Sequence, residues 1–291
     1  MQYYRVTVEH LLSQMGNSVR KVTTEEIRTY LADYQKNSNC SNVTIDNIRR
    51  NISSFFSWLE EEDYILKSPM RRIHKIKTKT VVKNTISDES IEKLRDHCTE
   101  IRDLAIIDLL YSTGIRVGEL VNLNIDDIDL EGRECIVYGK GDKERSVSIT
   151  DATVSHLKKY LRQFHPEMLP DQPLFYTKIK GSIAPMSPGN VSRIINKYAD
   201  AIRSEHPNLP KHLHCHMFRR TRATGLYRNG VELEMISVIL GHSSTETTRI
   251  YATPSIEMLE EAMNTANSTI PDETPEWEEN EDELARICGL R

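Results

Sequence analysis

The stretch from residue 214 to residue 251 constrains this chain more than any other part of it. An H-x-x-R unit, His216–Arg219, stands near its start, and an apolar segment follows. The large apolar residues of that segment recur at helical spacing: Leu233, Ile236 and Leu240. Gly241 then suits the end of a helix, and His242 follows it directly, with Tyr251 nine residues later. The stretch therefore predicts a helix that ends at Gly241, with a histidine and a tyrosine beyond its end.

These residue types are those of a site that acts on phosphate. Arginine is permanently cationic, and its planar fork fits two phosphate oxygens at once. A histidine can donate to a third oxygen or move a proton, and a tyrosine hydroxyl can act as a nucleophile that forms a covalent intermediate. Together, Arg219, the nearby histidines and Tyr251 match a phosphoryl-transfer site that attacks with a side chain and uses no metal.

The charge of the chain is unevenly distributed. The sequence of 291 residues carries a net charge of −5, which at first argues against a nucleic-acid partner. Residues 269–291 hold eight acidic residues and two arginines, which is −6, so the rest has 36 basic and 35 acidic residues, or +1. Residues 64–87 contain seven Lys or Arg and no acid. Because local charge sets contact with a phosphate backbone, nucleic acid stays a candidate partner.

Length and composition narrow the class of protein. A chain of this length holds two domains of ordinary size. It has no apolar run long enough to cross a membrane and no signal peptide. Its five cysteines are odd in number and scattered, with no C-x-x-C pair. This pattern favours reduced thiols in the cytoplasm over a disulfide framework or a zinc site.

Residues 1–68 are predicted to form a small all-helical domain. Helical patterns cover residues 2–15 and 45–59, and between them Thr23 and Glu26 form a predicted capping box.

Residues 69–84 are predicted to be an extended basic linker between two domains, because they show little helical periodicity. No acid interrupts the basic side chains, which favours contact with DNA phosphates; the alternative is a soluble hinge. The candidate DNA-binding residues are Arg71, Arg72, Lys75, Lys77 and Lys79.

Residues 85–268 are predicted to form a second domain, mainly helical with a small antiparallel β-sheet, so the chain is expected to be α+β. Gly114 is expected to end a strongly apolar helix over 101–113. Arg116 stands at the start of the next helix, where free N–H groups also face an anion. The alternative for Arg116 is a surface pairing with Glu119, three residues on.

Two short strands, over 136–138 and 145–149, flank a turn that holds Lys140. A lysine at a hairpin tip is usually a solvated charge, so the residue type alone gives Lys140 no role. Residues 269–291 are predicted to be an acidic, flexible tail.

Four motifs together resemble the tyrosine recombinase, or phage-type integrase, family and its Xer-like branch. They are TGIRVGEL around Arg116, GKGDKER around Lys140, HMFRRTRAT around Arg219, and LGHSSTETTRIY, which ends at Tyr251. The resemblance covers residues 86–266. It implies an N-terminal SAM-like helical core-binding domain followed by the tyrosine-recombinase catalytic domain, and it implies that a first helix is missing before Met1.

The resemblance implies a role for each matched residue. The implied catalytic residues are Arg116, Lys140, His216, Arg219, His242 and Tyr251. The two arginines form a phosphate clamp, and the tyrosine is the nucleophile. Lys143 competes with Lys140 for the role of the hairpin lysine. Arg220 departs from the pattern, since the family usually has histidine there.

The implied reaction is transesterification at a DNA phosphodiester, with no cofactor and no metal ion. Tyr251 attacks the phosphorus, forms a 3′-phosphotyrosyl bond and frees a 5′-hydroxyl, and a 5′-hydroxyl of a partner duplex reverses the step. His216 is the candidate acceptor of the tyrosine proton, and Lys140 is the candidate donor to the leaving oxygen. Glu119 is expected to orient one of these two residues or, alternatively, to pair with Arg116.

The implied function is site-specific recombination that integrates or excises a mobile element. The implied partners are a specific site in double-stranded DNA, further copies of the chain in a homotetramer on two DNA sites, and an accessory DNA-bending or excision factor. The free chain is expected to be a monomer or weak oligomer, with no membrane partner. Two alternatives stay open: a DNA relaxase of the type IB topoisomerase kind, and a DNA-binding protein without catalysis.

Overall fold

The computed structural model describes most of the chain. The described residues are 2–16, 19–78, 85–139, 143–207, 209–242, 248–249, 260, 263, 285–286 and 288–289. The chain divides into two compact units, Met1–Val82 and Lys83–Arg291, and each has its own hydrophobic core. The described residues are mainly helical with small antiparallel sheets, so the predicted α+β class is confirmed. No helix in these ranges is both long and apolar enough to cross a bilayer.

The described part of the N-terminal unit contains three α-helices: α1 (Gln2–Gln14), α2 (Thr24–Ser38) and α3 (Asn42–Glu61). The capping box predicted before α2 is present. The Thr23 side chain accepts from the Glu26 N–H at 3.2 Å, and the Glu26 carboxylate accepts from the Thr23 N–H at 2.7 Å. The apolar faces of the helices meet in a core that includes the buried residues Leu11, Ile27, Ile45, Ile52 and Phe56.

The basic segment after residue 68 differs from the predicted extended linker. Its first part, Pro69–Arg72, is a 3₁₀ helix, and Met70 is only 4% exposed in the N-terminal core. Ile73 and Ile76 also pack against this core, and the Ile76 N–H donates to Asp46 Oδ1 at 3.0 Å. Apolar residues at every third position therefore attach this part of the segment to the N-terminal unit.

The C-terminal unit begins with the helices α4 (Asp88–Asp96), α5 (Ile101–Thr113) and α6 (Val117–Val121). An antiparallel sheet in the order β1-β2-β3 follows, formed by β1 (Ile128–Asp129), β2 (Glu134–Tyr138) and β3 (Glu144–Ser148). Next come α7 (Asp151–Phe164), a hairpin of β4 (Tyr176–Ile179) and β5 (Ser182–Pro185), and α8 (Pro188–Ile202). The last helices with described bounds are α9 (Cys215–Arg228) and α10 (Leu233–Leu240).

Helix α5 lies at the centre of the C-terminal unit and contacts α7, α8 and α9. Nine of its 13 residues are buried, as expected of a helix enclosed by others. Its two buried carboxylates are both paired with arginine, as buried charges usually are. Asp108 lies 2.6 Å from Arg95, and Asp103 lies 2.8 Å from Arg102.

The predicted hairpin is present in β2 and β3, where Val137 is opposite Arg145. The Gly139 N–H donates to the Lys143 carbonyl at 2.8 Å, just below the hairpin tip. Val147, two residues after Arg145, is only 4% exposed. Because alternate residues of a strand share a face, Arg145 faces the interior of the unit.

We expect Met70→Ala to lower the stability of the N-terminal unit by about 2–5 kcal/mol, the usual cost of truncating a buried methionine. Hydrogen exchange at the α3 amides measures the free energy of opening. Leu66→Ala is the matched control, because Leu66 is fully exposed and surface substitutions change stability by less than about 0.5 kcal/mol. Equal protection in the two variants would show that the basic segment is not attached to the core.

Candidate active site

Arg116 is the N-cap residue of α6, on the turn that follows Gly114. Its side chain is 42% exposed, and its Nη1 lies 2.7 Å from Glu119 Oε1. The Arg116 N–H also donates to Glu119 Oε2, at 2.8 Å. The pairing of these two residues, one of the alternatives in the sequence, is therefore present.

Glu119 is shared with a second arginine, Arg145 of β3. Arg145 Nη2 lies 2.7 Å from Glu119 Oε2, and its Nη1 lies 3.2 Å from Oε1, so the contact is a two-point fork. Burial by itself would raise the pKa of Glu119, but hydrogen bonds from Arg145 and Arg116 outweigh it and lower that pKa. The buried carboxylate therefore stays ionised at neutral pH.

Arg145 is absent from the predicted site, although it is the last residue of the GKGDKER motif. The family resemblance directs attention to the lysines of this motif, because it implies a catalytic lysine in the hairpin. The signal that could have found Arg145 is strand alternation, since it shares a face with the apolar Val147. An arginine on a buried face needs an acceptor such as a carboxylate, and Glu119 is that acceptor.

Helix α9 carries the H-x-x-R unit. Arg219 is only 1% exposed. Its Nη1 donates to the Gly114 carbonyl at 2.9 Å, and its Nη2 donates to the Leu240 carbonyl at 2.5 Å. Arg219 therefore joins the end of α5 to the end of α10. His216 lies three residues earlier, on the same side of the helix, and its side chain is exposed.

Three arginines hold three consecutive carbonyls at the end of α10. The last carbonyls of a helix lack partners within the helix and carry the negative end of its dipole, so cations stabilise them. We call this arrangement the carbonyl cap, and it joins α6, β3 and α9 to α10. Its bonds are Arg145 Nε to Ile239 O at 3.2 Å, Arg219 Nη2 to Leu240 O at 2.5 Å, and Arg116 Nη2 to Gly241 O at 3.1 Å.

Gly241 makes the carbonyl cap sterically possible. Its φ is +64°, in the left-handed region that glycine adopts without a steric cost. A Cβ at this position would lie 2.7 Å from Arg145 Nη1 and 2.9 Å from Arg145 Cζ. The helix end predicted at Gly241 is confirmed, and the close approach of Arg145 is a second reason for glycine there.

His242 directly follows the carbonyl cap. Its N–H donates to the Ser237 carbonyl at 2.9 Å, and its Nδ1 lies 2.8 Å from Thr248 Oγ1. Burial, reinforced by the positive charges of Arg219 and Arg116, lowers the pKa of His242 to about 4. The ring is therefore neutral at pH 7. In the tautomer whose Nδ1 accepts from the Thr248 hydroxyl, Nε2 carries the ring proton and has donor character.

Four of the six predicted catalytic residues are described, namely Arg116, His216, Arg219 and His242. The carbonyl cap brings Arg219 to Leu240 and Arg116 to Gly241, the two residues that precede His242. His216 is close enough for its charge to contribute to the lowered pKa of His242. Lys140 and Tyr251 lie outside the described residues, so their roles stay predictions.

The remaining candidates lie on the surface or outside the described residues. Lys143 is exposed at the base of the hairpin tip. Arg71 is exposed and pairs with Glu60 on the N-terminal unit. Three further basic side chains of the predicted linker are also exposed on that unit: Arg72, Lys75 and Lys77. Lys79 lies outside the described residues.

Two family models match the chain. One, described as the phage integrase family, matches residues 81–258, a range that contains the carbonyl cap and all six predicted catalytic residues. The other, described as the phage integrase N-terminal SAM-like domain, matches residues 1–66. Each of the two units therefore has its own match.

The chain is also similar to individual recombinases. A tyrosine recombinase of Agathobacter rectalis is 35% identical over 223 residues, which cover 70% of this chain and 70% of that protein. Tyrosine recombinase XerC of Thermodesulfovibrio yellowstonii is 32% identical over 275 residues, which cover 91% of this chain and 88% of that protein. A post-cleavage crystal structure of XerH site-specific recombinase bound to palindromic difH substrate is 26% identical, with a TM-score of 0.67; the match covers 89% of this chain and 77% of that one.

We expect the imidazole of His242 to titrate near pH 4, because burial lowers its pKa to about 4. In the unfolded chain its pKa is about 6.5. Between these values the unfolded chain binds a proton that the folded chain does not, so acidification from about pH 6.5 to pH 4 should destabilise the C-terminal unit. An NMR titration, assigned with His242→Asn, measures the pKa. Protonation of His242 near pH 6.5 in the folded protein would contradict the burial of this ring.

We expect Arg219→Ala to cost far more stability than Arg116→Ala. The first change leaves the Gly114 and Leu240 carbonyls without their donor inside the unit, at about 1–3 kcal/mol for each buried group. The second removes a side chain that is 42% exposed, and Glu119 keeps its fork to Arg145. Urea unfolding of the two variants tests this, and a smaller loss for Arg219→Ala than for Arg116→Ala would show that the buried contacts are not stabilising.

Proposed function

The chain belongs to the phage integrase family and is a tyrosine-type site-specific recombinase, and we propose that it cuts and rejoins double-stranded DNA through a 3′-phosphotyrosyl intermediate. The family membership confirms the resemblance seen in the motifs. One observation supports the mechanism most: Arg116, Arg219 and the neutral His242 lie at the same end of α10. Two fixed cations and a neutral donor suit the non-bridging oxygens of a pentavalent phosphorus.

In the proposed reaction the hydroxyl oxygen of Tyr251 attacks the scissile phosphorus. A bond forms between this oxygen and phosphorus, and the bond between phosphorus and the 5′ oxygen breaks. The tyrosine gives up its proton, and the leaving 5′ oxygen gains one. A 5′-hydroxyl of a partner duplex later attacks the phosphotyrosine and reverses the step. One ester replaces another, so the reaction needs neither ATP nor hydrolysis.

The two arginines of the clamp have different environments, which suit different parts of the task. Arg219 is fully buried and held by two carbonyls, so its charge is fixed before DNA binds. Arg116 is partly exposed, so it can contact a phosphate that arrives from solvent. Preorganised donors of this kind are worth about 3–4 kcal/mol of the barrier each, and in this proposal they supply the positive charge that metal ions supply elsewhere.

The proton transfers use the remaining residues. A tyrosine hydroxyl has a pKa of about 10, so it needs an acceptor at neutral pH. We assign this acceptor to His216, which is exposed one turn before Arg219 on α9. His242 donates from Nε2 to a non-bridging oxygen, a task that its neutral form performs. Lys140 is the proposed proton donor to the leaving 5′ oxygen.

The proposed substrate is a specific site in double-stranded DNA, in the cytoplasm, on a mobile element that the protein integrates or excises. The similar XerH is bound to a DNA substrate, difH, after cleavage. Recombination then requires a homotetramer on two such sites, and an accessory DNA-bending or excision factor is the further proposed partner. Exposed Arg72, Lys75 and Lys77 support phosphate contacts by the N-terminal unit. Arg71 shares its charge with Glu60 and is the weaker candidate.

We expect the full chain to form a covalent adduct with a pool of nicked duplexes of random sequence, in which loss of a short strand traps the product. The adduct should form in EDTA, survive denaturation and enrich one DNA sequence. Tyr251→Phe should bind the enriched duplex without forming the adduct, because the nucleophilic oxygen is gone. Tyr227→Phe is the matched control. This tyrosine packs against Ile236 and Leu240 of α10, but the three bonds of the carbonyl cap all come from arginines, so the loss of its hydroxyl should leave the adduct unchanged.

The two alternative functions, a DNA-binding protein without catalysis and a DNA relaxase, predict different results in this assay. A wild type that binds DNA but forms no adduct would be a DNA-binding protein without catalysis. A wild type that relaxes supercoils through an adduct but never joins two duplexes would be a relaxase. An adduct that disappears in EDTA would contradict the arginine clamp as the source of positive charge.

A further inference from the structure

We propose that Arg145 is a positioning residue for this reaction: it holds Glu119 and the end of α10 so that Arg116 and His242 meet the phosphate in one fixed arrangement. The inference rests on the proposed function and extends it to strand β3. We assign Arg145 no contact with the reacting atoms, because all three of its guanidinium nitrogens bond protein acceptors. It acts through the residues that it contacts, which are Glu119 on α6 and Ile239 and Gly241 at the end of α10.

The guanidinium of Arg145 has a single orientation. Its Nη2 and Nη1 bond the two oxygens of Glu119 at 2.7 Å and 3.2 Å, and its Nε donates to the Ile239 carbonyl at 3.2 Å. The side chain is 13% exposed. A planar group with every nitrogen engaged cannot turn without losing a bond, so β3 is fastened to both α6 and α10.

The two-point contact between Arg145 and Glu119 also determines how the Arg116 guanidinium bonds Glu119. Because Arg145 occupies one edge of the carboxylate, the guanidinium of Arg116 bonds it through Nη1 only, and Arg116 Nη2 extends to the Gly241 carbonyl. Without Arg145, the ionised and buried Glu119 would have one arginine left to neutralise it. It would then draw Arg116 into a two-point fork of its own, which turns the guanidinium away from the phosphate.

Arg145 also fixes the end of α10 by direct contact. A Cβ on Gly241 would lie 2.7 Å from Arg145 Nη1 and 3.0 Å from its Cδ, so Arg145 approaches closer than a side chain at position 241 would allow. This approach and the bond to the Ile239 carbonyl hold the end of α10 beside Arg145. The position of His242, the next residue, depends on that fixed end.

The test compares the cleavage rates of wild type and Arg145→Ala at saturating DNA. The substrate is the duplex enriched in the adduct assay, with either a normal phosphate or a neutral methylphosphonate at the scissile position. If Arg116 and Arg219 are misplaced, they stabilise the negative charge of the transition state less well. This loss slows cleavage less at a methylphosphonate, because that group carries one negative charge fewer than a phosphate. We expect a loss of roughly tenfold or more on the phosphate, below the roughly hundredfold or larger loss for a direct donor. On the methylphosphonate the loss should be at most about threefold, since most of the clamp's contribution is absent there.

Two further variants separate positioning from stability. Arg145→Lys keeps the charge but lacks the planar fork, so it should show the same selective loss on the phosphate even if Arg145→Ala folds poorly. Arg133→Ala is the matched control in the turn between β1 and β2, because Arg133 is 59% exposed and pairs with the exposed Asp151. Its rates should equal those of wild type on both substrates.

The outcomes separate this inference from the proposed function. If wild type forms no adduct, the proposed function fails. If wild type reacts but the Arg145 variants react equally fast, or lose rate equally on both substrates, the function stands and the positioning role is wrong. Failure of both Arg145 variants to fold would assign Arg145 to stability alone and would also overturn the inference.

Discussion

The attraction between three guanidinium groups and three consecutive backbone carbonyls at the end of α10 is the interaction on which the rest of the site depends. It uses the negative end of a helix dipole to gather cations. The donors come from three separate elements, the start of α6, strand β3 and helix α9. Because carbonyl and phosphate oxygens both accept from arginine, the same attraction assembles the clamp and leaves it suited to bind a phosphate.

Gathering that much positive charge has an electrostatic cost, and two neighbours reduce it. Glu119 is buried between Arg116 and Arg145 and stays ionised because of them. His242 lies beside the arginines, and its burial, reinforced by their positive charge, lowers its pKa and keeps the ring neutral. The site therefore keeps a carboxylate where cations must be held together and a neutral ring where a further cation would repel them.

Local chemistry in the sequence was enough to predict several of these features. The capping box at Thr23 and the helix ends at Gly114 and Gly241 follow from residues that stabilise or end a helix within a few positions. The motif positions of Arg116 and Arg219 were likewise visible, and the structure shows them bonded to the same helix end.

Features that depend on contacts between distant segments were not predictable in this way. Arg145 bonds Glu119 from 26 residues away and Ile239 from 94 residues away, and its own short strand does not show which helix it faces. The packing of residues 69–76 on the N-terminal unit is not predictable for a related reason. The charges of this segment were conspicuous, whereas Met70, Ile73 and Ile76 repeat at an interval of three that matters only against the N-terminal core.

The fit of Arg145 over Gly241 also limits how this sequence can diverge. A side chain at position 241 would enter the volume of the guanidinium, so a relative that carries one there must have a shorter residue at position 145 or a displaced helix end. The two positions are 96 apart in the chain, yet a side chain at position 241 requires a change at position 145 or at the helix end. This single contact therefore predicts that the residues at positions 145 and 241 covary across related sequences.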